Sequence, residues 1–196
     1  MAKKRVRKTS RKAAPRTPRR TPARDRARRS GRGPTSAAGR GKPLVGILYG
    51  STSDEPVVAE CVALLEQLAI PHETRLLSAH RMPKATAVYA QGAKRRGLRV
   101  LISMAGMAAH LPGVLASMTT LPVIGVPLCG SALEGQDALF SMVQMPAGVP
   151  VATVAVGKAG AKNAAILASQ ILALGDAVLA RRLDDLKRRL ESGQKV

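Results

Sequence analysis

The chain has 196 residues, 32 Lys+Arg against 12 Asp+Glu for a net charge of +20, and only two Tyr, one Phe and no Trp. The charge is uneven: residues 1–42 hold 17 Lys/Arg and a single acid, Asp25, whereas the remainder is close to neutral. A globally basic nucleic-acid-binding fold is therefore excluded as the simplest reading, and so is single-strand binding by aromatic stacking.

Residues 1–42 are dominated by Arg, Lys, Ala, Pro, Thr, Ser and Gly, with Pro15, Pro18, Pro22 and Pro34 interrupting any helix. Nothing there offsets the entropy of ordering a chain, so a disordered basic tail is expected. It admits three readings: weak contact with a polyanion such as nucleic acid or anionic lipid, a targeting peptide, or an extension of no great consequence. Residues 43–196 form the expected folded domain.

Leu44–Tyr49 is a short apolar run that reads as a buried strand, feeding the turn Gly50-Ser51-Thr52-Ser53-Asp54. Val57, Cys61, Leu64, Leu65 and Leu68 follow at helical spacing, with Ser53 or Asp54 as the expected N-cap and Pro56 in the first turn. A second strand is expected at His72–Leu77, with His72 structural. It ends in Ser78-Ala79-His80-Arg81. Pro83 opens a helix whose basic end, Lys94-Arg95-Arg96, stops at Gly97. Further strands are expected at Val100–Met104, Val123–Val126 and Val151–Val156, and helices near Leu111–Met118 and Leu133–Met142. Ala161–Leu174 and Asp176–Leu190 read as two closing helices.

This alternation of apolar strands with helices implies a parallel sheet covered on both faces. The two cysteines, Cys61 and Cys129, lie in apolar runs with no metal-ligand spacing and are expected as packed free thiols. No apolar run is long enough to cross a membrane without a break. Between Arg99 and Lys158 the only charges are Glu134 and Asp137. Such a span is expected to lie partly between subunits, or else in a deep core with a large apolar pocket.

Ligands of open parallel sheets bind beyond the carboxyl ends of the strands. Three polar or small-residue turns fall there: Gly50–Asp54, Ser78–Arg81 and Ala105-Gly106-Met107-Ala108-Ala109-His110. A fourth, Gly157-Lys158-Ala159-Gly160, follows the last strand. They supply hydroxyls and N–H groups for a phosphate, a guanidinium for charge-assisted bonds, a carboxylate for sugar hydroxyls, and a histidine able to move a proton near neutral pH. Singly, each is more simply a turn, a cap or a satisfied loop residue. Their convergence points to a site.

Gly50-Ser-x-Ser-Asp54, Ser78-Ala-His-Arg81-x-Pro83 and Ala105-Gly-x-Ala-Ala-His-Leu-Pro-Gly113 resemble the signature turns of class I PurE, the N5-carboxyaminoimidazole ribonucleotide (N5-CAIR) mutase family of purine biosynthesis. The resemblance continues through Leu121–Pro127, Ser131-Ala-Leu133, Gln144-Met-Pro146 and Gly157–Gly160, and spans about residues 44–174. It implies a flavodoxin-like three-layer αβα sandwich, a cytoplasmic homo-octamer with active sites at subunit contacts, and an isomerase acting without cofactor, ATP, metal or biotin. In family terms the reaction moves a carboxyl group from the exocyclic nitrogen to ring C4, giving 4-carboxy-5-aminoimidazole ribonucleotide (CAIR). His80 is then the acid/base. Ser51, Ser53 and Arg81 hold the phosphate, Asp54 holds the ribose hydroxyls, and Ser78, Gly106, His110 and Leu111 line the base and carboxylate pocket. Two departures flank this site: Met107 stands where the family usually has Gly, and Glu55-Pro56 replaces the common Trp after the Asp. Two alternatives stand beside the mutase. One is the class II enzyme, which carboxylates aminoimidazole ribonucleotide (AIR) directly with carbon dioxide. The other is a non-catalytic nucleotide-binding module whose tail is the working part.

Overall fold

The computed structural model describes residues 41–195. The expectations for the basic tail lie almost wholly outside the described residues. Five strands, β1 (Val45–Tyr49), β2 (His72–Leu76), β3 (Val100–Gly106), β4 (Val123–Leu128) and β5 (Ala152–Thr153), form one parallel sheet in the order β2-β1-β3-β4-β5. The helices are α1 (Glu55–Gln67), α2 (Pro83–Ala93), α3 (Leu111–Ala116), α4 (Gln136–Val143), α5 (Gly157–Ala173) and α6 (Ala177–Glu191).

Strand alternation sends successive side chains to opposite faces, and each face has its own core. Val45, Ile47, Val100, Ile102, Ile124 and Val126 point to the layer of α1 and α5. Leu48, Leu101, Ala105 and Val123 point to the layer of α2, α3 and α4, against Tyr89, Leu111, Leu115, Ala138 and Met142. The fold is therefore a three-layer sandwich. On α1 the inner row is Val58, Cys61, Leu64 and Leu65, so Val58 rather than Val57 takes the fully buried place. Burial pushes the Cys61 thiol up to about 12, which makes it an inert core residue.

The second face is braced by a polar cluster. Glu73 on β2 is 7% exposed. It accepts hydrogen bonds from Tyr89 Oη at 2.7 Å and from Arg96 Nη1 at 2.6 Å, while the Arg96 guanidinium lies 4.4 Å from the centre of the Tyr89 ring. Burial alone would raise the Glu73 carboxyl, but these donors and the charges of Arg96 and Arg75 hold it below its ordinary value. Tyr89 crosses β1 at Gly46, where an added Cβ would lie 2.4 Å from Tyr89 Oη. Only glycine leaves that passage open.

The last strand is shorter than its sequence suggests. The expected Val151–Val156 reduces to Ala152–Thr153 at the sheet edge, because only Ile124 and Gly125 pair with it. Gly157–Gly160 is accordingly not a loop but the first turn of α5. Gly160 is required by packing, since a Cβ there would sit on the Ala155 carbonyl oxygen. The closing helix α6 is capped by Asp176, whose Oδ1 accepts from the N–H groups of Val178 and Leu179 at 2.9 and 3.0 Å. It docks through Leu179 and Leu186 and through an Arg182 hydrogen bond to the Leu68 carbonyl at 2.8 Å. Among the described residues no helix is long and apolar enough to cross a membrane.

Candidate active site

Strand order reverses between β1 and β3, so the loops leaving these two strands diverge to opposite faces and open a crevice between them. A cavity of about 670 Å³ occupies this crevice. It is lined from the ends of four strands: Gly50, Ser51, Ser53 and Asp54 after β1, Ser78–Arg81 after β2, Ala105–Ala108, His110 and Leu111 after β3, and Cys129 and Gly130 after β4. Every site residue expected from the sequence is among them. Gly157–Gly160 is not, because that segment is taken up in α5 and packs against Ala155.

The first turn is locked by its own side chains. Ser51 Oγ accepts from Ser53 N–H at 3.3 Å and from the Ser53 hydroxyl at 2.8 Å, and Asp54 Oδ2 accepts from Ser51 N–H at 3.0 Å. This reciprocal pair is a capping box on the short turn Thr52–Asp54. Ser51 thus caps the 3₁₀ turn that the chain makes before α1 begins. Asp54 stands at the α1 N-cap position without a capping bond. Burial raises its carboxyl above the ordinary value and outweighs the donors from Ser51, Ser53 and the Gly50 backbone and the Arg81 charge. Such a carboxylate gains from any further donor that a ligand brings.

Ser78 organises the second turn: its Oγ accepts from Arg81 N–H at 3.3 Å and its carbonyl from Met82 N–H at 2.8 Å. Arg81 reaches across to the first turn and donates to the Gly50 carbonyl at 2.5 Å, and it lines the same cavity as Ser51 and Ser53. His80 projects to the third turn, where its Nε2 lies 2.7 Å from His110 Nδ1. The rings meet edge to face, with centroids 4.8 Å apart. That contact needs one proton between the two nitrogens, one ring donating and the other accepting; two fully protonated rings cannot form it.

The third turn runs close to β4. A Cβ at Gly106 would lie 3.3 Å from the Leu128 carbonyl. Met107 then adopts φ +56°, a left-handed conformation that favours glycine, which gives a physical reason for the glycine expected there. Cys129 and Gly130 were not anticipated as lining residues. Cys129 is exposed rather than packed in the core, because β4 runs on to Leu128 and delivers the next residue to the strand-end rim. The strand-end rule applied to β4 would have found it. His72 is buried and structural, its Nδ1–H donating to the Ile70 carbonyl at 3.0 Å.

The cavity thus gathers serine hydroxyls and a guanidinium, a pair of imidazoles, and a run of mostly small residues. The N5-carboxyaminoimidazole ribonucleotide mutase of Bacillus subtilis is 54% identical over 144 residues, covering 74% of this chain and 89% of that protein. The protein of the same name from Pyrococcus horikoshii is 51% identical over 158 residues, covering 79% and 88% respectively. The crystal structure of Treponema denticola PurE superimposes with a TM-score of 0.69 at 27% identity, over 77% of this chain and 93% of that one. Residues 44–193 match the family model described as AIR carboxylase, and the chain belongs to that family.

Proposed function

We propose that this chain is an N5-CAIR mutase, an isomerase of purine biosynthesis that acts on a ribonucleotide. The carrying observation is that one crevice gathers the phosphate-type donors Ser51, Ser53 and Arg81, the under-compensated carboxylate of Asp54, and the His80–His110 pair. Relatives bearing the mutase name at above 50% identity support the same reading.

In this reading the substrate phosphate displaces Arg81 from the Gly50 carbonyl and takes hydrogen bonds from Ser51 and Ser53. The ribose hydroxyls donate to Asp54. Ser78, Gly106, His110 and Leu111 surround the base. His80 gives a proton to the exocyclic nitrogen as the nitrogen–carboxyl bond breaks, and the bonding pair stays on nitrogen. Carbon dioxide is released next to C4, whose electrons form the new carbon–carbon bond. His80 then removes the C4 proton and is ready for the next cycle. One imidazole serves both steps because its ring nitrogens can both give and accept a proton. His110 holds the ring in place and takes the other side of the shared proton.

An assembly of about eight copies, with sites at subunit contacts, belongs to the proposal. Leu133, Phe140 and Val143 support it. They are 60%, 61% and 49% exposed in the single chain, and the last two share one face of α4. Two unpaired cysteines and a nucleotide substrate suit a cytoplasmic location. Residues 43–196 are the catalytic unit in this reading, and the tail has no part in the chemistry.

The test offers purified protein either N5-CAIR or AIR with bicarbonate and follows CAIR. Rapid conversion of the first without added bicarbonate is expected. Efficient use of the second at low bicarbonate would instead assign direct carboxylation. No turnover of either, together with nucleotide binding, would make the chain a binding module. Light scattering should report a particle near eight chains, and a monomer would refute the assembly.

A further inference from the structure

Uncompensated positive charge gathers at one end of the folded domain. Lys42, Lys94, Arg95 and Arg99 are all exposed, and backbone pairing brings them to the amino-terminal ends of the strands. Leu44, two residues after Lys42, donates to the Pro71 carbonyl at 2.8 Å and accepts from Arg99 N–H at 2.8 Å. Lys94 and Arg95 lie in the 3₁₀ turn Lys94–Arg96 that follows α2, shortly before Arg99. Lys94 Nζ donates to the Thr120 hydroxyl at 3.2 Å, in the segment that leads into β4. Arg96, in the same turn, is paired with Glu73. Among the described residues no carboxylate pairs with the other four. On α5, by contrast, Lys158 and Lys162 both face Glu60.

The sequence adds charge to this end. β1 begins at Val45, so the chain enters the sheet here, and residues 1–42 hold 17 Lys/Arg, Lys42 among them, against the single acid Asp25. Like charges collected without counter-charges repel one another, and a polyanion relieves that repulsion. The guanidinium fork suits phosphate in particular. Two features choose among polyanions. Firm attachment of a basic segment to an anionic membrane needs an apolar anchor as well. Here Leu98 is 1% exposed, no large exposed hydrophobic lies in residues 41–44 or 94–99, and Val6 is the only sizeable aliphatic side chain after Met1 in residues 1–42. Neither the patch nor residues 1–42 contain Phe, Tyr or Trp, so nucleic-acid bases have nothing to stack on. The phosphate backbone of nucleic acid, bound without regard to sequence, matches both.

We infer that the amino-terminal end of the sheet is a docking surface for the phosphate backbone of nucleic acid, built from Lys42, Lys94, Arg95 and Arg99 and continued by the basic residues that precede β1. It lies at the far end of the sheet from the crevice. β3 runs from Val100, next to Arg99, to Gly106 on the cavity wall, a span of about 20 Å. A bound polymer therefore leaves the crevice open to its own ligand. The inference does not depend on the mutase reading.

The test titrates the full chain with a short labelled DNA duplex over a series of salt concentrations and reads fluorescence anisotropy. Binding that weakens steeply with salt and is the same for unrelated sequences is expected. A second full-length chain carries Lys94→Gln, Arg95→Gln and Arg99→Gln together, and its urea midpoint should match that of the unmodified protein. It loses three phosphate contacts, so its log–log salt slope should be shallower by about 3 and its affinity at low salt at least about tenfold weaker. Equal affinity and slope in this variant would overturn the docking surface, because the residues before β1 would then bind alone. Absence of DNA binding by the full chain would overturn it too, as would tighter binding to phosphatidylserine vesicles than to DNA. Inhibition of CAIR formation by DNA in competition with N5-CAIR would put the polymer in the crevice and refute the inference, while leaving the mutase reading intact.

Discussion

Replacing His80 by Asn separates chemistry from stability. His80 lies in an exposed turn, and its recorded polar contact is the 2.7 Å approach to His110, also exposed. Surface changes of this kind move stability by no more than about 0.5 kcal/mol, so the variant should unfold at nearly the same urea concentration and keep its particle size. Catalysis should respond very differently. A positioned acid/base group contributes about 10²–10⁴-fold, or roughly 3–5 kcal/mol of barrier. CAIR formation from N5-CAIR is therefore expected to fall by at least about a hundredfold. The His80–His110 contact extends the reasoning. If the two rings act as one proton-sharing unit, His80→Asn with His110→Asn should cost little more than the worse single change. If they act independently, the two losses in kcat multiply. Retained turnover in His80→Asn would refute the proposed chemistry, and multiplicative losses would refute the shared role of His110.

Other changes test the fold that holds this site. Gly46→Ala places a Cβ 2.4 Å from Tyr89 Oη and 3.0 Å from Leu101 Cδ2. Overpacking and disruption of the Tyr89–Glu73 hydrogen bond together should cost about 3–5 kcal/mol. Urea unfolding measures it, and a loss below about 1 kcal/mol would show that the layer yields more easily than its packing implies. Glu73 is held below its ordinary carboxyl value by Tyr89 and Arg96 against the upward effect of burial. Its contribution is therefore full above the unfolded-chain value and is lost as pH falls through the lower folded value. Glu73→Gln should cost about 1–2 kcal/mol at neutral pH and flatten the acid side of the stability profile; an unchanged acid limb would sink that assignment. Phe140→Lys, at a position 61% exposed in the single chain, should leave the protomer folded but break the assembly in light scattering. An intact particle would remove α4 from the subunit contact.

The sequence by itself was enough for the layered fold, because the signals involved are local and periodic. Val45–Tyr49, Val100–Met104 and Val123–Val126 read as buried strands from their apolar runs, and Pro83 and Gly97 mark where a helix starts and where its basic end stops. The strand-end rule then placed Ser51, Asp54, Ser78, His80, Arg81, Gly106 and His110 on one rim, and the crevice contains them all. What it could not supply were relations between segments far apart along the chain. The 2.7 Å meeting of His80 and His110 spans 30 residues of sequence, and the Glu73–Tyr89–Arg96 cluster depends on α2 lying over Gly46. The charge-poor interval likewise has two causes that composition cannot separate: β3 and β4 bury it in the chain's own core, while Leu133, Phe140 and Val143 leave part of it on the surface. Gly157–Gly160 looked like a loop because glycine marks turns as readily as close contacts; only the nearness of the Ala155 carbonyl decided that Gly160 is needed for packing. The uneven charge of +20 sharpened in the same way. Counting residues separates a basic tail from a nearly neutral body, but only the folded chain brings Arg81 to the Gly50 carbonyl, in the crevice that Ser51 and Ser53 also line. Charge is a sum over residues, whereas a binding site depends on the distances between them.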